Sequence, residues 1–117
     1  MLQNKTYVKQ AGSNGRGVFA ATPISKGQVV EIAPYIHIPA ADYDKIADTF
    51  LSNYWYGARG RACAIGLGNT SLYNHSNTPN AEYIVRSKSK TIKIVAVKNI
   101  AQDKEIYIDY GYDPATL

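Results

Sequence analysis

Residues 74–80 read Asn74-His75-Ser76-Asn77-Thr78-Pro79-Asn80, and residues 105–113 read Glu105-Ile106-Tyr107-Ile108-Asp109-Tyr110-Gly111-Tyr112-Asp113. The first stretch packs hydrogen-bonding side chains and a proline into a run too polar for a strand. By itself it describes an elaborate turn, with Asn and Ser side chains bonded to nearby backbone. The second alternates. Glu105, Tyr107, Asp109 and Gly111 fall on one parity, and Ile106, Ile108, Tyr110 and Tyr112 on the other, which is the inward set of a strand. There Tyr110 and Tyr112 either find partners for buried hydroxyls or form aromatic walls with a polar end.

Around these stretches other chemistries find little support. The chain has two histidines, His37 and His75, and one cysteine, Cys63, which argues against a metal site. A hydrolytic triad of Cys63, His75 and Asp109 is conceivable on residue types, but no nucleophile-elbow pattern accompanies it. Gly15-Arg16-Gly17 precedes a strand-like run and can bring backbone close to a ligand or simply turn the chain. It lacks the third glycine and following helix of a dinucleotide fingerprint, and Gly66-Leu67-Gly68 lacks the same third glycine.

Most other segments are short, rich in β-branched or aromatic residues and punctuated by Gly, Asn, Ser or Pro, so the fold is expected to be mostly β. Candidate strands cover 6–9, 17–21, 28–38, 81–87, 91–97 and 105–110. The clearest hairpin flanks Ser87-Lys88-Ser89-Lys90, with Ile92, Ile94 and Ala96 alternating against Lys93 and Val95. One amphipathic helix is expected after Pro39. Tyr43, Ile46, Ala47, Phe50, Leu51 and Tyr54 recur at helical spacing and form a core-facing stripe. Gly57, Gly60, Gly66 and Gly68 then suggest an irregular crossing loop.

The 117 residues, 45% hydrophobic, are material for one core, so residues 1–117 are expected to form one domain. A lone cysteine fits a reducing compartment, and neither a signal h-region nor a membrane-length apolar run is found. A soluble, intracellular, non-secreted protein with no membrane partner is expected. The net charge of +4 raises nucleic-acid binding. Arg86, Lys88, Lys90 and Lys93 read more simply as a solvated hairpin tip, while Asp103, Glu105, Asp109 and Asp113 are acidic.

Taken together and in this order, these motifs resemble the SET-domain lysine methyltransferases over nearly the whole chain. Residues 15–20 resemble that family's opening GxG strand. Ile24-Ser25-Lys26-Gly27-Gln28-Val29-Val30 resembles its I-x-K-G-E-x-V segment, with Gln28 in place of Glu. Leu72 to Ser76 with Pro79-Asn80 resembles NHS-x-x-PN, and Glu105-Ile106 with Asp109-Tyr110-Gly111 resembles E-[LI]-x-x-DYG. The resemblance implies a β-clip fold of several small sheets, a C-terminal pseudoknot and one short helix. It further implies S-adenosylmethionine as cofactor, lying against Arg16, Gly17 and Phe19 and met by Asn74 and His75. A substrate lysine would enter a channel bordered by Tyr54, Tyr56, Tyr110 and Tyr112, with Tyr110 as the catalytic residue; Tyr35 is a further candidate for the channel.

These residue types suit such a reaction, because in-line transfer depends chiefly on alignment, which a stiff aromatic channel provides. The amine must also be neutral, and both desolvation and a neighbouring sulfonium disfavour the ammonium form. Besides Gln28, the sequence departs from the family pattern in three places. The zinc-bound cysteine clusters of larger members are missing, so no metal is expected. Asn77 stands where cysteine often follows NHS. Only Pro114 to Leu117 follow Asp113, so either a second subunit completes the channel or the pocket is open, and a homodimer is the expectation favoured. The partner is a lysine-containing protein or peptide, possible histone tails included despite the positive charge of the chain. The alternative is a non-catalytic module of the same fold that binds protein or nucleic acid, and a generic small β-barrel is a third reading.

Overall fold

A computed structural model describes residues 5–12, 15–57 and 62–111. Along the chain run β1 (Thr6–Gln10), β2 (Arg16–Ala20), β3 (Val29–Ile38), α1 (Tyr43–Ile46), β4 (Trp55–Gly57), β5 (Cys63–Gly66), β6 (Asn74–His75), β7 (Ala81–Arg86), β8 (Thr91–Ala96) and β9 (Tyr107–Ile108). They form three sheets: antiparallel β1-β2, a five-stranded sheet in the order β4-β5-β3-β8-β7, and parallel β6-β9.

The expected hairpin is β7-β8, in register from Ala81↔Ala96 to Arg86↔Thr91 around the tip at 87–90. Alternation decides its faces. Ile92 and Ile94 are wholly buried and Ala96 nearly so, each isoleucine contributing about 1.5–3 kcal/mol by leaving water. Lys88 and Lys90 lie exposed at the tip, as a solvated basic run should.

Two sequence expectations need correction. The helix expected across Tyr43 to Tyr54 is instead the single turn α1, entered from a 3-10 turn at Ala40–Asp42, and a separate 3-10 segment at Phe50–Tyr54. Thr49 is the cause. Its backbone is extended at φ −94° and ψ 163°, and its hydroxyl donates to the Ile46 carbonyl at 2.6 Å, a local bond that competes with continuation of the helix. The break shifts the phase of the stripe, so Phe50 and Leu51 are exposed, at 75% and 42%. The second correction concerns the glycine-punctuated loop, which contains β4 and β5, paired from Trp55↔Ile65 to Gly57↔Cys63. Glycines mark the edges of these strands, and β5 is secured by β3 on its other side.

The final expected strand is regular only at β9, yet its parity holds, since Ile106 and Ile108 are wholly buried. On one side the segment follows β2: Asp103 N–H donates to Ala20 O at 2.7 Å, Ala20 N–H to Lys104 O at 2.9 Å, and Ile106 N–H to Val18 O at 2.8 Å. On the other it runs parallel to β6, pairing Asn74↔Tyr107 and His75↔Ile108. A parallel pair requires a long crossover, here the β7-β8 hairpin and the loop after it. The C-terminal segment is therefore held between the GxG-like strand and the 74–80 turn. No helix among the described residues is long and apolar enough to cross a membrane.

Candidate active site

Asn80 clamps the C-terminal segment in place. Its amide Nδ2 donates to Glu105 O at 3.0 Å, and its Oδ1 accepts from Tyr107 N–H at 2.8 Å. One carboxamide thus replaces a neighbouring strand on both sides of Ile106, a role for which the asparagine donor and acceptor are suited. Glu105 is brought under β2 and β6 together. Its Oε2 accepts from Asn74 Nδ2 at 2.7 Å, its Oε1 from Tyr107 O–H at 2.9 Å, and Asn74 Nδ2 lies 3.2 Å from Arg16 O. Gly17 makes this possible, because a Cβ there would overlap Glu105 Oε2 and stand 3.0 Å from Asn74 Nδ2.

The hydrogen bonds of His75 define its tautomer. Nδ1 accepts from Tyr110 N–H at 3.0 Å, so the ring proton sits on Nε2, which donates to Asn77 Oδ1 at 2.9 Å. Asn77, which departs from the family pattern, therefore orients the imidazole. The same ring packs 5.0 Å from Tyr110, centroid to centroid, and the Tyr110 hydroxyl donates to Tyr73 O at 2.6 Å. This arrangement disposes of the hydrolytic triad. Both imidazole nitrogens are engaged elsewhere, and Cys63 is buried with its thiol pushed up by desolvation, the opposite of an activated nucleophile.

Two clefts meet at Tyr110. The more polar, about 220 Å³, is lined by Gly15, Arg16, Leu72 and Asn74 together with Tyr54, Ser71, Tyr73 and Tyr110. The other, about 130 Å³, shares those last four and adds Trp55, Tyr56, Gly57 and Tyr83. Of the residues expected to meet the cofactor, Arg16 and Asn74 line the polar cleft; Gly17 and His75 stand behind it as supports. Phe19 is buried, stacked on Tyr7 at 5.7 Å, and lines neither cleft. Of the channel residues, Tyr54, Tyr56 and Tyr110 line the aromatic cleft, and Tyr112 lies outside the described residues. Tyr35 is buried and lines neither cleft.

Sequence reasoning missed Tyr83, Tyr73, Glu105 and Asn80 as parts of this site. Tyr83 could have been found, since it shares the inward parity of Ala81 on β7. Its ring packs 4.8 Å from that of Tyr56, whose hydroxyl bonds the Thr70 carbonyl. Glu105 could not, because its parity is the outward one and only β6, folded over it, turns that face into a site. Among the described residues no three His, Cys, Asp or Glu side chains gather to hold a metal.

The phenols of Tyr56 and Tyr73 are both pushed well above the ordinary 10.0, Tyr56 by burial and then by Tyr110, Tyr83 and Glu31, Tyr73 by burial and then by Glu31. The folded chain thus keeps these protons where the unfolded chain releases them. Stability is fully present below about pH 10 and falls above it, by about 1.4 kcal/mol per pH unit for each phenol. The urea midpoint should drop steeply above about pH 10, and Tyr73→Phe should flatten the slope. An equal slope in that variant would contradict the assignment.

A family model described as the SET domain matches residues 15–111. The chain belongs to the SET-domain family. This SET domain is 28% identical, over 116 residues, to a Schizosaccharomyces pombe histone-lysine N-methyltransferase specific for H3 lysine 37, a match covering 95% of the chain and 76% of the relative. It also superposes, with a TM-score of 0.79 and 30% identity, on the crystal structure of a candidate histone methyltransferase of Plasmodium falciparum, covering 97% of this chain and 99% of that one.

Proposed function

We propose that this SET domain transfers a methyl group from S-adenosylmethionine to the side-chain amine of a lysine in a protein substrate, with Tyr110 at the reacting nitrogen. The observation that carries the reading is that Tyr110 forms a wall common to the polar and the aromatic cleft. A donor in one and an acceptor in the other are then separated by little more than a tyrosine ring. The polar cleft suits the cofactor: Arg16 and Asn74 offer polar contacts at its wall, and Gly17 keeps the backbone of β2 close to Asn74. Bound there, S-adenosylmethionine would supply an electrophilic methyl on a sulfonium.

The residues of the chain do the rest by position. Tyr54, Trp55, Tyr56 and Tyr83 would strip water from an entering lysine, and desolvation lowers the pKa of an ammonium. Proton loss to water leaves the amine as nucleophile. Tyr110 commits its own proton to Tyr73 O, so it meets an amine N–H as an acceptor and can turn the nitrogen lone pair along the transfer axis.

Histones are the first substrates to test, given the relatives named above, and an intracellular, chromatin-accessible location follows from such a substrate. A homodimer is part of this reading. Phe50, largely exposed, packs 5.5 Å from Tyr54 at the rim of both clefts, where a second subunit could cover it. Incubation with radiolabelled S-adenosylmethionine and mixed histones should label lysines. S-adenosylhomocysteine at millimolar concentration should raise Tm by several degrees, because binding to the folded state stabilises it. The absence of both effects would sink the proposal.

A further inference from the structure

We propose that Glu31 is a positioning residue for methyl transfer, holding Tyr73, and through the Tyr73 carbonyl the Tyr110 hydroxyl, in line with the reacting atoms. The inference rests on the methyltransferase reading of the site. It begins with a bulge in β3. The β3-β8 register runs Val29↔Val95 and then Glu31↔Ile94, Ile32↔Lys93. Without the extra residue Val30 would face Ile94 and Glu31 would face Lys93 on the outer side of the sheet, an ordinary surface ion pair. The bulge instead aims the carboxylate inward, as bulges beside functional sites do.

Inside, both carboxylate oxygens are engaged. Oε1 accepts from Tyr73 O–H at 2.7 Å and Oε2 from Asn69 N–H at 2.9 Å. Gly68, at φ +59°, lets the turn close around it, since a Cβ there would stand 2.6 Å from Oε2. Among the described residues no cation pairs with Glu31. A half-buried carboxylate held only by a phenol and an amide is a costly way to gain stability, which an apolar residue would supply more simply.

What the carboxylate does hold is Tyr73, 2% exposed, with its phenol tied to Glu31 and its carbonyl accepting the Tyr110 hydroxyl at 2.6 Å. Tyr73 also lines both clefts. A shift of its backbone therefore moves the Tyr110 oxygen, and in-line reactions lose about a hundredfold for an ångström of misplacement.

The test is steady-state kinetics of the full chain on the histone it labels best, for Tyr73→Phe and Glu31→Gln, each alone and combined with Tyr110→Phe. Tyr73→Phe keeps the ring and the carbonyl and removes only the tether. Each single variant should lower kcat about fivefold or more with the cofactor KM unchanged. Neither should lower it further once Tyr110 is Phe, because their effect passes through that hydroxyl. A lesion of packing alone would multiply with Tyr110→Phe, and that result, or an unchanged kcat in a folded single variant, overturns the assignment. Should Tyr73→Phe fail to fold, Glu31→Gln, of nearly the same shape, decides by the same two criteria. A wild-type chain that transfers no methyl overturns the site reading and this proposal together. Wild-type turnover with independent, multiplicative effects overturns only the role of Glu31.

Discussion

Replacing Tyr110 by Phe should lower kcat by about tenfold to a hundredfold, equal to about 1.4–2.7 kcal/mol of barrier, while leaving the cofactor KM near that of the wild type. The phenylalanine ring would keep the wall shared by the two clefts and the contact with His75. Only the hydroxyl is lost, and with it the bond to Tyr73 O at 2.6 Å and the acceptor that orients the amine. An effect confined to the chemical step is the mark of a group used in the transition state and not in ground-state binding. Single-turnover rates with saturating cofactor would read that step directly. A variant as fast as the wild type would remove Tyr110 from the mechanism.

Asn74→Ala should have the second large effect, on binding. One amide nitrogen serves both Glu105 Oε2 at 2.7 Å and Arg16 O at 3.2 Å. Its removal leaves a carboxylate facing an empty space beside the polar cleft. A bond to a charged acceptor is worth about 1.5–3 kcal/mol, so a stability loss near 2 kcal/mol is expected by urea denaturation. S-adenosylhomocysteine affinity, measured by calorimetry, should fall about tenfold to a hundredfold, because Asn74 is itself part of the cleft wall. Gly17→Ala should act similarly while leaving the Asn74 side chain chemically intact, since its Cβ would displace Glu105 and crowd Asn74 Nδ2 at 3.0 Å. Wild-type affinity in both variants would show that the Asn74–Glu105 arrangement does not shape the cofactor cleft.

Strand alternation was readable wherever one face of a strand meets the core. Ile92 and Ile94 on β8, and Ile106 and Ile108 near the C-terminus, are buried as their spacing indicates. The same rule failed after Pro39. Tyr43, Ile46, Phe50 and Leu51 satisfy a helical period, yet the Thr49 hydroxyl, bonded to the Ile46 carbonyl, ends the helix and rotates Phe50 and Leu51 outward. Periodicity counts side chains and does not register a local bond that stops the backbone. The strands β4 and β5 were hidden for a related reason: they are short and bounded by glycines, and β5 is held by neighbours on both sides.

By itself, the sequence determined the mostly β character, the β7-β8 hairpin, the inward parity of the final segment, and the family motifs that hold Asn74 and Tyr110, both of which line the clefts, because alternation and motif are written into consecutive residues. Only the tertiary structure decided that Glu105 stands under Asn74, that Asn77 orients His75, and that Glu31 turns in toward Tyr73. The first and last of these contacts join residues 31 and 42 apart and depend on a crossover and a bulge, while the Asn77 bond, though local, completes a ring whose other nitrogen is held by Tyr110 N–H, 35 residues away; alternation along a strand registers none of these.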